Sequence, residues 1–304
     1  MQTSNKNWLI FAGITTVFWG VWGAFIEIPE KNGFPATLGY SVWALTMLIP
    51  AFISLKRINW KIKFTRQSFF YGCLIGFTGA GGQLILFTSA LTLGPAYLIF
   101  PIISLSPVIT ILLSYLFLKE RTNKVVWAGI VLALLSIPLL SYISPEAGTK
   151  SGALWLIFAL IVFVAWGIQA FFIKIANQTM KAEEIFFYMT ITGLVMIPLA
   201  LSMTDFSLPI NYGSDGIYLA AGIQLLNAFG ALTLVYAFRY GKAIIVSPLT
   251  NSAAPLLTVL ISLIIYGYIP NSVVIAGMVL ALCATFLISF GEELKSSTEE
   301  STTP

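Results

Sequence analysis

The sequence predicts an all-α integral membrane protein whose ten transmembrane helices form two inverted five-helix repeats. Three observations predict it. Only 9% of the 304 residues are charged and 58% are hydrophobic. A soluble domain carries about 25% charge, so this composition suits lipid as the solvent. Ten apolar runs are long enough to span a bilayer. Finally, the stretch WGVWGAFIEI from Trp19 to Ile28 returns 147 residues later as WGIQAFFIKI from Trp166 to Ile175.

The runs follow from helix geometry. A helix rises about 1.5 Å per residue, so a core of about 30 Å needs about 20 apolar residues. Such runs fall at 8–26, 36–55, 69–91, 95–118, 125–143, 152–173, 185–203, 216–238, 243–266 and 273–290. The first lacks a small-residue cleavage site and reads as a span, not as a signal peptide. Segments such as VVIAGMVLALCATFLISF lack the alternation of β-barrel strands. The longest loops lie at 56–68 and 204–215, and the polar segment after Phe290 reads as disordered.

The repeat divides the chain into a first half at 1–143, a second half at 152–290 and a polar cytoplasmic tail at 291–304. The offset of 147 also carries Gly94 to Gly241 and Pro101 to Pro248. With one residue gained, an offset of 148 carries Pro107 to Pro255, Thr110 to Thr258, Asn123 to Asn271 and Gly129 to Gly277. Five spans per copy is an odd number, so the second copy is expected upside down. Inverted repeats with a site at their interface are a plan of secondary transporters.

Charge placement predicts orientation. Threaded through ten spans, all of the 16 lysines and arginines except Lys31 and Lys150 fall on the side of the N-terminus. The positive-inside rule then puts both termini in the cytoplasm, and the net charge of +4 concerns the membrane, not nucleic acid.

Within the spans, helix-breaking residues recur at Pro101 and Pro107 in the fourth and at Pro248 and Pro255 in the ninth. An interior proline frees a carbonyl, which lipid tolerates only beside protein or a wet cavity. Ser106 and Ser114, and Ser247 and Ser262, read as packing contacts, as do Gly76, Gly79, Gly81 and Gly82; Thr110 and Thr258 on the same faces either pack or line a polar path. Carboxamides facing lipid are costly, so Gln83, Gln169, Gln224, Asn227 and Asn251 are expected to face the bundle interior. With Trp19, Trp22 and Trp166 they suggest a neutral, polar and aromatic substrate cavity. Glu27 and Lys174 occupy equivalent positions at opposite mouths and either gate the path or snorkel to the headgroups.

Missing features narrow the function. There is no GxxxxGK[ST] phosphate loop, no His, and no clustered carboxylates or cysteines. An ATP-driven pump, a metal centre and a catalytic triad are therefore not expected, and the chain does not read as an enzyme.

The Trp-Gly of the first span in each half, Pro107 and Pro255, and FLKERTNKVVWAGIVLALL after span four resemble the drug/metabolite transporter superfamily, in particular its EamA-type members. The resemblance spans nearly the whole chain. It implies ten helices around a central cavity, spans five and ten at the periphery, and alternating-access movement of small metabolites, often outward. Lys174 matches a lysine common in the family, where Glu27 departs; Glu120 matches a glutamate after span four, whose repeat partner here is Tyr268. The expected setting is the inner membrane, with a small-molecule substrate and the lipid bilayer as partners. A homodimer stays open, no cofactor is expected, and a sugar-uptake porter of the same superfamily is the alternative.

Overall fold

The computed structural model describes residues 7–86, 102–140, 142, 154–266 and 271–301. Among them all regular structure is helical: α1 Asn7–Phe25, α2 Glu27–Lys31, α3 Ala36–Thr46, α4 Leu48–Arg57, α5 Arg66–Ile85, α6 Pro107–Phe117, α7 Lys124–Leu140, α8 Leu154–Ala176, α9 Ala182–Val195, α10 Ile197–Ser202, α11 Leu219–Tyr240, α12 Ala243–Tyr266 and α13 Ser272–Ser301. A π-helical turn at Ser214–Tyr218 leads into α11. Six stretches among the described residues are long and apolar enough to cross a bilayer: Asn7–Lys31, Ala36–Arg57, Leu154–Ala176, Ala182–Ser202, Ser214–Tyr240 and Ala243–Ile261. Ile102–Phe117, Lys124–Leu140 and Ser272–Ile288 are shorter apolar helices.

Side chains from the loops start several helices. Thr65 Oγ1 accepts the Ser68 amide at 3.0 Å to open α5, while Ser68 Oγ accepts the Thr65 amide at 2.8 Å. Such reciprocal capping satisfies donors that the first turn leaves orphaned. Asn123 Oδ1 accepts Val126 N at 2.8 Å to open α7, and Asn271 Oδ1 accepts Val274 N at 3.0 Å to open α13.

The second and seventh predicted runs are each bent. The chain turns at Met47 between α3 and α4, and at Met196 between α9 and α10. Pro50 and Pro198 follow these turns. Each lacks the amide that would bond back to Thr46 or Leu194, so the helix yields there. At the expected breaks, Pro107 is the first residue of α6, after a turn at Leu105–Ser106. Pro101 lies outside the described residues. The expectation at Pro248 and Pro255 needs correction: α12 runs through both. Each proline removes one backbone bond, and the neighbouring bonds keep the helix continuous. The expected disorder after Phe290 is also corrected, since α13 continues to Ser301. Glu292, Glu293, Leu294 and Lys295 are all good helix formers.

Three-helix groups organise the bundle. α1 packs along α11 and α12, and α8 packs along α5 and α6. α9 joins α5, α3 joins α11, and α7 and α13 lie along each other beside α12. Buried Tyr40, Met47, Ile75, Phe186, Phe238 and Ile244 belong to the main core. Ile10, Val17, Phe52, Phe117, Ile157 and Phe286 are exposed. So much outward apolar surface needs lipid to cover it.

Candidate functional site

Two helix crossings position the repeated Trp-Gly residues. In the first, the Trp19 indole lies on Gly230, where an added Cβ would stand 2.5 Å from it. Its Nε1 donates to the Asn227 carbonyl at 3.4 Å. In the second, Trp166 lies on Gly82 with the same 2.5 Å approach, and its Nε1 donates to the Gly79 carbonyl at 3.4 Å. The adjacent glycines allow a second close approach. Thr258 Oγ1 donates to the Gly20 carbonyl at 3.0 Å, and Thr110 Oγ1 donates to the Gly167 carbonyl at 3.0 Å. Both tryptophan N–H groups are thus bound to backbone.

The carboxamides divide by partner. Gln224 is buried, and its Oε1 accepts Trp22 Nε1 at 3.1 Å. It also lines a narrow cleft of about 30 Å³ with Ile26, Pro29, Glu30, Phe34 and Ala220, room for about one water. Asn251 Nδ2 donates to the Ser247 carbonyl at 2.9 Å, one turn back in α12. Gln83, Gln169 and Asn227, on α5, α8 and α11, have no hydrogen-bond partner for their carboxamides among the described residues. Gln169 lies against Gly79, where a Cβ would overlap it. Gly76 likewise meets Thr192, whereas Gly81 has only Met196 near it, at 3.8 Å. Thr110 is buried against α8, in line with a packing role.

The two predicted mouth charges sit differently. Glu27 is exposed and pairs with Lys31 at 2.7 Å, one turn along α2. Lys174 turns inward: its Nζ donates to the Phe238 carbonyl at 3.0 Å and to the Gly241 carbonyl. Beside it, Glu120 Oε2 accepts the Ile244 amide at 3.1 Å. Glu120 lies in the loop between α6 and α7. Burial raises its carboxyl above the ordinary carboxylate range, against the pull of the Ile244 amide and of Lys174 and Lys242.

Several interactions at the ends were not singled out from sequence. Buried Glu184 accepts the Lys63 and Lys181 amides, each at 2.9 Å, and Tyr236 OH donates to Glu183 at 2.7 Å. At the opposite end Asn211 Nδ2 donates to the Asn32 carbonyl at 3.0 Å and to Asp215 Oδ1 at 3.1 Å, and Asn211 N donates to the Gly33 carbonyl at 3.1 Å. Gly33 holds a left-handed φ of 88°, which suits glycine there. Glu183 and Glu184 lie in the first turn of α9 and Asn211 lies between helices, and no apolar periodicity marks their distant partners.

The chain has recognisable relatives. A sequence model of the EamA-like transporter family matches residues 6–142 and again 153–290. The pseudopaline exporter CntI of Pseudomonas aeruginosa strain UCBPP-PA14 is 29% identical over 189 residues, 61% of this chain. The match spans 63% of that exporter's length. Protein LicB of Haemophilus influenzae is 27% identical over 257 residues, covering 80% of this chain and 82% of its own. A solved structure described only as that of a protein superimposes with a TM-score of 0.73 at 16% identity, covering 92% of this chain and 98% of the other. At that identity the likeness concerns the fold.

Proposed function

Since the chain belongs to the EamA-like transporter family and is an integral membrane protein, we propose that it is a secondary carrier exporting a small polar or amphipathic metabolite by alternating access. It is a transporter and not an enzyme. Ten spans in two inverted halves, 1–143 and 152–290, sit in the inner membrane with both termini cytoplasmic. The basic-residue distribution supports that orientation.

The observation that carries the reading is the pair of matched crossings. Trp19 on Gly230 corresponds to Trp166 on Gly82, and Thr258 on Gly20 corresponds to Thr110 on Gly167, all at the repeat offsets. Directions agree with inversion. Contacts from Thr15 to Thr233 and from Trp22 to Gln224 run α1 antiparallel to α11. Trp166 on Gly82 and Gln169 on Gly79 run α8 antiparallel to α5. An interface between such halves is where a substrate path belongs.

Gln83, Gln169, Asn227 and Asn251 supply the polar lining, with Trp22 and Gln224 near one mouth. The lining is uncharged, which favours a neutral or zwitterionic solute over a net ion. The exporter named among the relatives supports the outward direction. A sugar-uptake porter is the second reading, favoured by the Trp22–Gln224 pair, since an indole face and an amide together suit a sugar.

Purified protein in liposomes, screened with labelled amino acids, sugars and nucleosides, tests the function. The proposal expects saturable flux of one zwitterionic class. Sugar flux alone would support the second reading, and no flux of any class would contradict both. Single cysteines at Ser4, Asn59 and Gly148 test orientation in intact cells. Only position 148 should react with an impermeant thiol reagent.

A further inference from the structure

The turn joining α11 and α12 is held at both of its helix ends by residues from other elements. α11 stops at Tyr240 and α12 starts at Ala243, so Gly241 and Lys242 alone make the connection. The last carbonyls of one helix and the first amides of the next lack intrahelical partners. Lys174, near the end of α8, donates to the Phe238 and Gly241 carbonyls. Glu120, in the loop after α6, accepts the Ile244 amide at 3.1 Å and is drawn on by the Ala243 amide as well. Lys242 Nζ reaches back to the Arg121 carbonyl at 2.9 Å, next to Glu120.

The loop is shaped for this contact. Lys119 adopts a left-handed φ of 53°, uncommon for a side chain other than glycine, and the Glu120 amide folds back on the Ser114 carbonyl at 3.3 Å. That turn delivers the carboxylate to the start of α12. The ammonium meets a helix C-terminus and the carboxylate a helix N-terminus, the favourable sense for each.

These bonds also cross a boundary. α8 packs along α5 and α6, and α1 along α11 and α12, with α6 also resting against α12. On the carrier reading the path lies between these groups, and opening it at this end would require the bonds to break. At the opposite end the charge equivalent to Lys174, Glu27, is exposed and engages Lys31 of its own short helix. The Asn32–Asn211–Asp215 ties there join the chain after α1 to the chain before α11, both on one group.

We propose that Glu120 and Lys174 form a two-point latch that closes the Gly241 end of the transport path, gripping backbone helix ends rather than one another. The inference rests on the carrier reading and adds the residues that hold one gate. A latch of this kind depends on an acceptor at position 120 and a long donor at position 174. Glu120→Gln and Lys174→Arg keep those groups; Glu120→Ala and Lys174→Met remove them. A charge-swapped double variant, Glu120→Lys with Lys174→Glu, places both groups at the wrong helix ends.

The test uses the full chain in liposomes with Cys73 and Cys283 replaced by serine. Asn251→Cys reports on the latched end, two turns into α12 from Ile244 on the same face. Ala220→Cys, in the cleft lined by Gln224, reports on the other end. Glu120→Ala and Lys174→Met are expected to speed thiol labelling at position 251 about tenfold or more, the scale of a lost charged hydrogen bond. Labelling at position 220 should not rise. Glu120→Gln and Lys174→Arg should label like the parent, and the double swap should stay fast. A rise at both reporters would mean a loosened fold and would overturn the latch. So would restoration of the parent rate by the double swap, the mark of a simple ion pair. Uptake by the cysteine-free protein with Asn251 and Ala220 intact reads the carrier assignment separately. Uptake with labelling insensitive to every variant overturns the latch alone; absence of uptake for every solute class overturns the carrier reading.

Discussion

Trp19 and Trp166 are held alike by partners far apart in the chain: each indole donates at 3.4 Å to a backbone carbonyl, that of Asn227 for the first and of Gly79 for the second. Those carbonyls are themselves separated by the repeat offset of 148 residues. The repeated Trp-Gly is therefore a joint between helices, and its indoles are bound before any substrate arrives.

The joints should fail alike. Gly82→Ala and Gly230→Ala each push a methyl to 2.5 Å from an indole, whereas Gly222 has nothing within 4 Å of an added Cβ. Overpacking of this kind costs about 1–3 kcal/mol. Thermal unfolding of purified protein in detergent should show a clear loss for the first two and little change for Gly222→Ala. Three equal midpoints would mean that the crossings are not tightly packed.

The carboxamides should separate by partner. Gln83→Leu, Gln169→Leu and Asn227→Leu leave no described protein group unpaired, so they should lower transport while stability holds. A substrate group left without its bond loses about 1–3 kcal/mol, roughly 5- to 150-fold in transport efficiency. Gln224→Leu also strands the Trp22 N–H and should lower stability too. Normal transport by all three single variants would remove these residues from the path.

The end of the bundle that holds Glu27 offers a contrast between a charge and an amide. Glu27→Gln breaks only an exposed pair within one turn, worth about 0–1 kcal/mol, and should leave transport near normal. Asn211→Ala removes bonds to the Asn32 carbonyl, Asp215 and, through Oδ1, the Gly213 amide. Faster labelling of Ala220→Cys is the expected result. An effect of Glu27→Gln larger than that of Asn211→Ala would reverse this ranking.

Much of the architecture was legible because it depends on spacing. Apolar runs of span length, the Trp-Gly offset, and Thr110 against Thr258 are all countable. The bends at Pro50 and Pro198 were present in the letters at an offset of 148 and went unread, because single prolines inside apolar runs give no direction for a kink. Partners were harder. Gln224 and Gln169 are both carboxamides within spans, yet one is bound by Trp22 and the other has no described partner. Glu120 meets Ile244 across 124 residues of chain, and nothing local to either residue announces that meeting.

The latched end should respond to acid in a defined sense. Burial raises the Glu120 carboxyl, so the closed end binds its proton more tightly than an open, hydrated end does. The charged groups that face it are Lys174 and Lys242. Linkage then favours closure fully below the ordinary glutamate value of about 4.3, and that advantage is lost as pH rises through the raised value. The neutral carboxyl still offers an oxygen to the Ile244 amide. Labelling of Asn251→Cys, normalised to Ala220→Cys, should slow as pH falls towards that window, and Glu120→Gln should flatten the response. Faster normalised labelling in acid would give the opposite sign.

Counterflow tests the central claim, that two inverted halves form a carrier with alternately exposed sites, most directly. Liposomes are preloaded with the solute that the uptake screen identifies, and entry of labelled solute is followed with no gradient of total solute. A carrier turns faster when both faces are occupied, so preloading should accelerate entry, and the acceleration should saturate. Entry that is linear in concentration and indifferent to preloading would describe a channel and contradict the account.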